Sequence, residues 1–173
     1  MAMANEAYES LISRRSIRAY QQKPVPQEIL QKLLEAAMCA PSARHEEPWH
    51  FVVIDEREKL SEIARVHPHA KMAASAPLAI LVCGQASLET ARGYMPVDCG
   101  NAALNLLHAA HALGLGGVWV GIYPRQERIA EMRRLLSLPE EVLPFAFVPL
   151  GYPAESKGRE NRYKADRVHH NKW

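Results

Sequence analysis

Residues 97–121 read VDCGNAALNLLHAAHALGLGGVWVG. Ala102, Ala103, Leu106, Ala109, Ala110 and Leu113 fall at the three- and four-residue steps of one helix face, and Leu104, Leu107 and Ala112 make further faces apolar. The spacing predicts a helix buried nearly all round. Asp98 or Asn101 is the expected N-cap and Gly114 the left-handed stop, followed by a short buried strand through Val118, Trp119 and Val120. The order is therefore helix, glycines, strand. A dinucleotide fingerprint needs strand, glycines, helix, so that a pyrophosphate meets a helix N-terminus, and Gly114, Gly116, Gly117 and Gly121 match no such spacing. Two readings of the glycines stand side by side: backbone lying close against a flat ligand, or tight packing of a helix on a strand.

Around this stretch, 173 residues with 48% hydrophobic composition make one domain able to bury a sizeable core. A net charge of +2 is too mild to argue for nucleic acid, although local clusters of one sign can still hold an anion. Cys39, Cys83 and Cys99 are odd in number and scattered, as expected of reduced thiols in a cytoplasmic protein. Residues 1–9 are polar and unlike a signal peptide, and no apolar run reaches membrane-spanning length, so no membrane association is expected. The chain carries no internal repeat or low-complexity segment.

Upstream, Tyr8, Leu11 and Ile12 predict a short amphipathic helix stopping near Ser13, before RRSIRAY at 14–20. Three arginines around a serine hydroxyl are a candidate phosphate cradle, because guanidinium groups offer forked donors; a solvated basic turn is the bland alternative. Pro24 and Pro26 break the chain, and Ile29, Leu30, Leu33, Leu34, Ala36 and Ala37 predict a core helix over 27–39. The loop APSARHEEPWHF at 40–51 follows, rich in polar donors, and leads into an alternating strand at 50–55. A surface helix through Leu60, Ile63 and Ala64 and a buried strand, PLAILVCG at 77–84, come next, with 66–76 partly helical between them; 86–96 has no clear pattern. Downstream, 126–136 is amphipathic and FAFVPL at 145–150 is the last strand. From Ala154 onward the chain is polar and basic and ends on Trp173, a tail that is either disordered or wrapped on a second subunit.

Several chemistries fall away. His108 and His111 share a helix face, but no HExxH pattern, third acidic ligand or Cys pair accompanies them, so core or interface histidines are expected and no metal. Ser16 and Ser42 lack the Gly-x-Ser-x-Gly elbow of a hydrolase nucleophile. What remains is two basic clusters far apart in sequence, a polar loop at 41–48 and a glycine-lined strand, which together suit a flat, phosphorylated ligand.

Four blocks of the chain carry a resemblance: RRSIRAY, APSARHEEPWHF, LGLGGVWVG, and GYP followed by a basic tail ending VHHNKW. In this order they resemble the short members of the FMN-dependent nitroreductase family. The resemblance implies an α+β fold, a central, mostly antiparallel sheet flanked by helices, and an intertwined homodimer with FMN at the subunit interface. It implies one FMN-binding domain over 1–173, with 154–173 a tail docking on the partner subunit. It also implies ping-pong oxidoreduction, with NADH or NADPH as electron donor and a small molecule such as a nitroaromatic or quinone as acceptor. The same fold specialised for enone or flavin reduction, and a flavin-binding protein without turnover, are the alternatives.

Carried over by motif, Arg14, Arg15, Ser16 and Arg18 match the residues that hold the flavin phosphate and pyrimidine end, and Arg162 with Arg159 match the basic tail residues at the phosphate. Pro41, Ser42 and His45 match the loop that a partner offers to the flavin, and Val120 and Gly121 match the strand end whose backbone N–H faces the ring. A flavin performs hydride chemistry itself, so no catalytic side chain is expected. Two positions depart from the family pattern: His45 stands where Asn is common, and Glu47 where Gln is common. A carboxylate beside a flavin disfavours negative charge on the ring, so Glu47 is expected to point away or to be paired.

Overall fold

A computed structural model describes residues 2–173, with side chains from residue 6 onward. In chain order the elements are α1 (Ala2–Ser13), α2 (Gln27–Met38), β1 (Trp49–Ile54), α3 (Arg57–Val66), β2 (Leu78–Gln85), α4 (Met95–Ala112), β3 (Gly116–Gly117), β4 (Val120–Gly121), α5 (Gln126–Leu136) and β5 (Val142–Gly151). The sheet runs β1-β2-β5-β3, with β4 also on β5, and each of these pairings is antiparallel.

The unbroken apolar run at 77–84 is explained by the position of β2. Side chains alternate across a strand, and both faces of β2 are covered. Leu78, Ile80 and Val82 join one core cluster with Leu30 and Leu33 of α2 and Leu106 of α4, while Ala79, Leu81 and Cys83 join another with Leu60 and Ile63 of α3 and Ile129 and Met132 of α5. The result is a sheet between two helical layers, the α+β architecture with an antiparallel sheet that the resemblance implies. Cys83 and Cys99 are buried free thiols, and burial pushes both up to about 12; Cys39 is exposed. Among the described residues no helix is long and apolar enough to cross a membrane.

The helix at the heart of the chain begins earlier than its capping residues suggest. α4 starts at Met95 behind Tyr94, and Pro96 occupies its first turn, where a missing N–H costs nothing. Asp98 therefore lies inside the helix and Asn101 a turn further on; neither is its cap. Nor is the helix buried all round: Met95, Cys99, Ala102, Ala103, Leu106, Leu107 and Ala110 are buried, but Val97 and Leu104 are exposed. Gly114 ends the segment at φ +78°, as expected. The expected strand through 118–120 is split, because Gly116–Gly117 and Val120–Gly121 pair with β5 while Val118 and Trp119 between them do not. The α1 helix extends from Ala2 rather than from the Tyr8 region, and the unpatterned stretch 86–96 holds a 3-10 turn, Ala86–Leu88, before α4 begins.

Candidate functional site

The run Arg14–Arg18 is fixed by the two glycines of β3. Ser16 forms a parallel bridge with Gly117, and the Ile17 N–H donates to the Gly117 carbonyl at 3.0 Å. A Cβ on Gly116 would stand 2.6 Å from Ile17 Cβ, and one on Gly117 would stand 2.6 Å from Leu150 Cδ2. These two glycines serve close backbone packing rather than contact with a ligand. Gly121 differs: the nearest atom to its would-be Cβ is the Tyr123 carbonyl oxygen at 4.0 Å, so open space lies over it.

Residues 154–160 return along the other side of the same run. The Ala154 N–H donates to the Ala19 carbonyl at 2.9 Å, Glu155 Oε1 accepts the Arg18 N–H at 2.5 Å, and Lys157 Nζ donates to the Ser16 carbonyl at 2.8 Å. Arg15 donates to the Gly158 carbonyl and, at 2.5 Å, to Glu160 Oε1, while Arg162 grips Glu160 Oε2 through Nε and Nη2 at 2.9 and 2.7 Å. One carboxylate thus bridges two guanidinium groups, and Arg162 and Arg15 hold it below the usual carboxylate range. Arg159 pairs with Glu9 at 3.2 Å.

Arg14, Arg15, Arg159 and Arg162 line one cavity of about 400 Å³. Arg14 makes no ion pair or side-chain hydrogen bond among the described residues, and burial together with Arg162 and Arg15 pulls its guanidinium below the ordinary arginine range. A half-buried cation repelled by its neighbours and lacking a carboxylate of its own suits an incoming phosphate.

Arg18, at the far end of the run, lines a second cavity of about 450 Å³ with His69, Lys71, Trp119, Val120 and Gly121. Four residues of chain span at most about 14 Å, so one short segment reaches from the arginine cavity to this one. His67 braces the second cavity from behind. The His69 N–H donates to His67 Nδ1 at 3.2 Å, which leaves the ring hydrogen on Nε2 facing the Gly121 carbonyl at 3.3 Å. Arg128 donates to the same oxygen at 2.9 Å. Burial, reinforced by Arg128 and His69, keeps His67 below the usual histidine range, although the Gly121 carbonyl acts the other way. The strand end at Gly121 and the segment carrying His69 and Lys71 therefore form one unit.

Pro41, Ser42 and His45 line neither cavity. Their loop is held on α4: Asp98 Oδ1 accepts the Ala43 N–H at 3.1 Å and the Asn101 amide donates to the Pro41 carbonyl at 3.1 Å. Glu46 Oε1 takes the Thr90 hydroxyl and, at 2.7 Å, the Ala91 N–H. Arg44, His45 and Glu47 all have positive φ, 51°, 59° and 47°, a conformation that costs a non-glycine residue energy and persists only where its surroundings enforce it. Ser42 Oγ accepts the Glu47 N–H at 3.1 Å, and His45 Nε2 lies 3.3 Å from Glu47 Oε1. The two positions that depart from the family pattern are thus paired with each other, and the His45 side chain is 90% exposed.

Sequence reasoning missed His67, His69, Lys71 and Glu160. Lys71 and His69 sit in an alanine-rich stretch with no periodic signal, and only the fold brings them to Gly121. Glu160 is one acid among the tail's bases, and nothing local shows that it bridges two of them. Among the described residues no group of three His, Cys, Asp or Glu gathers as a metal site.

The model of the Nitroreductase family matches residues 11–74 and 63–152. A protein of Methanothermobacter thermautotrophicus, assigned as an NADH dehydrogenase/NAD(P)H nitroreductase, is 50% identical over 168 residues, 97% of this chain and 88% of its own. Two solved structures superpose along nearly the whole chain. One, from Parabacteroides distasonis and assigned in the same way, has a TM-score of 0.94 at 37% identity, covering 98% of this chain and 99% of the other. The second, an FMN-dependent nitroreductase of Clostridium difficile, has a TM-score of 0.89 at 29% identity, covering 96% and 99%.

Proposed function

From the premise that the chain belongs to the nitroreductase family, we propose that it is an FMN-dependent NAD(P)H oxidoreductase acting as a homodimer in the cytoplasm. The observation that carries this reading is the Arg14–Arg18 run, which joins a cation-lined cavity to one edged by open backbone at Gly121. The donor set fits the cofactor. Arg14, Arg15, Arg159 and Arg162 hold the phosphate, and Arg18, Lys71, Val120 and Gly121 surround the ring end; Ser16 lines neither cavity and serves through its backbone, bridged to Gly117. Bound FMN supplies the hydride chemistry, taking electrons from NADH or NADPH and passing them to a small acceptor such as a nitroaromatic or quinone in a ping-pong cycle. The protein's own part is to hold, orient and tune. Arg18 and Lys71 favour negative charge at their end of the second cavity, and the His67 clamp keeps the strand end in place for the ring.

The whole of 1–173 serves as one FMN-binding domain, and its dimer completes the site. Tyr8 and Leu11 of α1 and Val97 and Leu104 of α4 leave apolar side chains exposed, more than half so for the first three, and a second subunit would cover them. The loop at Pro41, Ser42 and His45 lines neither of its own cavities and is offered to the partner's flavin. In the tail, Trp173 stacks on His169 with ring centroids 4.3 Å apart yet is 99% exposed, an aromatic anchor for the other subunit.

The visible absorption spectrum of the purified protein, followed by NAD(P)H oxidation with nitroaromatic and quinone acceptors, tests the proposal. Bound flavin at about one per chain with acceptor-dependent turnover is expected. A colourless protein that fails to take up added FMN overturns the assignment, and flavin without turnover makes the chain a flavin-binding protein.

A further inference from the structure

Helix α4 carries two histidines one turn apart, and among the described residues only one has a hydrogen-bond partner. His111 Nε2 lies 3.0 Å from Ser13 Oγ. His108 lines the arginine cavity, and its Nδ1 is buried without a hydrogen-bond partner among the described residues. Its setting is strongly cationic. Arg14 and Arg15 face the cavity from the end of α1, Arg159 and Arg162 from the returning tail, and Glu160, engaged by Arg15 and Arg162, is the cavity's carboxylate; Tyr8 and Tyr163 complete its titratable lining. On the far side of His108, Glu6 and Glu9 of α1, Cys39 behind α2 and His111 line the neighbouring groove. Burial, then the charges of Arg14 and His111, hold His108 below the usual histidine range. Burial and the neighbouring cations both oppose a proton on this imidazole, and an anion entering the cavity offsets the second of these, so the proton is held more tightly once the anion is bound.

We propose that His108 is a fifth cationic ligand of the phosphate end, neutral in the free protein and protonated when a phosphate monoester dianion occupies the cavity. This rests on the reading that the cavity takes the FMN phosphate. The balance is one proton taken up from solvent per phosphate bound, with no bond made or broken in the ligand. The sign follows from linkage. A group whose affinity for a proton is higher in the complex tightens binding below its free-state pKa, and the advantage fades as pH rises through the pKa of the complex.

The test is the Kd of FMN for the wild type and for His108→Gln, read from flavin fluorescence on dilution of the holoprotein between about pH 5.5 and 8.5, a range that brackets the reference histidine value. Each unit by which binding raises the His108 pKa is worth about tenfold in the ratio of the variant's Kd to the wild type's at acid pH. A ratio falling several-fold towards alkaline pH is expected. The second ionisation of the phosphate, with a pKa of about 6, is common to both proteins and cancels in the ratio. Riboflavin, which lacks the phosphate, is expected to give a ratio that does not change with pH. Calorimetry of wild-type FMN binding in two buffers of different ionisation enthalpy gives net proton uptake directly, so the test survives a variant that folds poorly. A flat FMN ratio and no proton uptake, with FMN still held far more tightly than riboflavin, overturns the role of His108 and leaves the phosphate site intact. Equal affinity of the wild type for FMN and riboflavin overturns both.

Discussion

Replacing Gly116 and Gly121 separately by alanine distinguishes packing from ligand contact along one short segment. At Gly116 the new methyl carbon would lie 2.6, 2.7 and 2.8 Å from Cβ, Cγ2 and Cγ1 of Ile17, where carbon atoms require about 3.5–4.0 Å. Ile17 is buried and β-branched, so its side chain has little rotamer freedom with which to yield, and the strain passes to the backbone. That backbone carries Ser16 and Arg18 on either side and is tied to Gly117 by the bridge. Overpacking of this kind costs about 1–3 kcal/mol. For a domain of this length each kcal/mol moves Tm by about 2–4 °C, so Gly116→Ala is expected to melt roughly 2–12 °C lower. At Gly121 the methyl meets nothing closer than 4.0 Å, so Tm is expected to stay within about 2 °C of wild type. The methyl instead enters the space proposed for the ring, and a misfit of about 1–3 kcal/mol raises the FMN Kd by about 5- to 150-fold. Differential scanning calorimetry of flavin-free protein and flavin fluorescence titration measure the two effects. A Gly116→Ala protein with wild-type Tm would refute the packing argument, and a Gly121→Ala protein with wild-type FMN affinity would refute the placement of the ring.

Arg14→Ala is expected to weaken FMN by about 1.5–3 kcal/mol, the range for a hydrogen bond to a charged group, while leaving riboflavin affinity nearly unchanged; equal losses by equilibrium dialysis would place Arg14 elsewhere. Asp98, buried and raised above the usual carboxylate range by burial against the pull of the Ala43 N–H, with Glu46 and Glu89 adding to the rise, penalises the fold when ionised. A folded pKa above the unfolded one means that this penalty is absent below the unfolded value of about 3.9 and complete above the folded one. Asp98→Asn keeps an acceptor for Ala43, so its Tm is expected to exceed the wild type's at neutral pH and to converge with it in acid; a difference independent of pH would refute the assignment. Deleting residues 168–173 is expected to lower dimer affinity and FMN retention together, since a site built at an interface is linked to assembly; an unchanged sedimentation profile with full flavin content would mean that the tail does not dock.

The helices and central strands were legible wherever burial has a period. The three- and four-residue spacing of Leu30, Leu33 and Ala37 and the three-residue spacing of Ile129, Met132 and Leu135 mark α2 and α5 because each lays one stripe on the sheet. The unbroken run of β2 marks a strand covered on both sides. Boundaries were lost where a residue's usual role was taken up elsewhere: Asp98 has the chemistry of a cap, yet it caps the neighbouring loop at Ala43 rather than its own helix. β5 begins at Val142, ahead of the run that announced it, and passes through Pro144. The arginines of the first cavity were readable as two clusters, but that Arg14 lacks a carboxylate among the described residues while Arg15 and Arg162 share one is a property of the fold. Lys71 and His69 had no sequence signal at all, because what brings them to Gly121 is the His67 clamp.

Arg15 meets Gly158 and Glu160 across 143 and 145 positions of chain. During synthesis, at about 5–20 residues per second, that separation is roughly 7–30 s. Over most of this interval the early arginines are outside the ribosome while the residues that close over them do not yet exist. On the proposed reading of these arginines, FMN capture waits for the tail, and until then the nascent chain carries its cationic run uncovered.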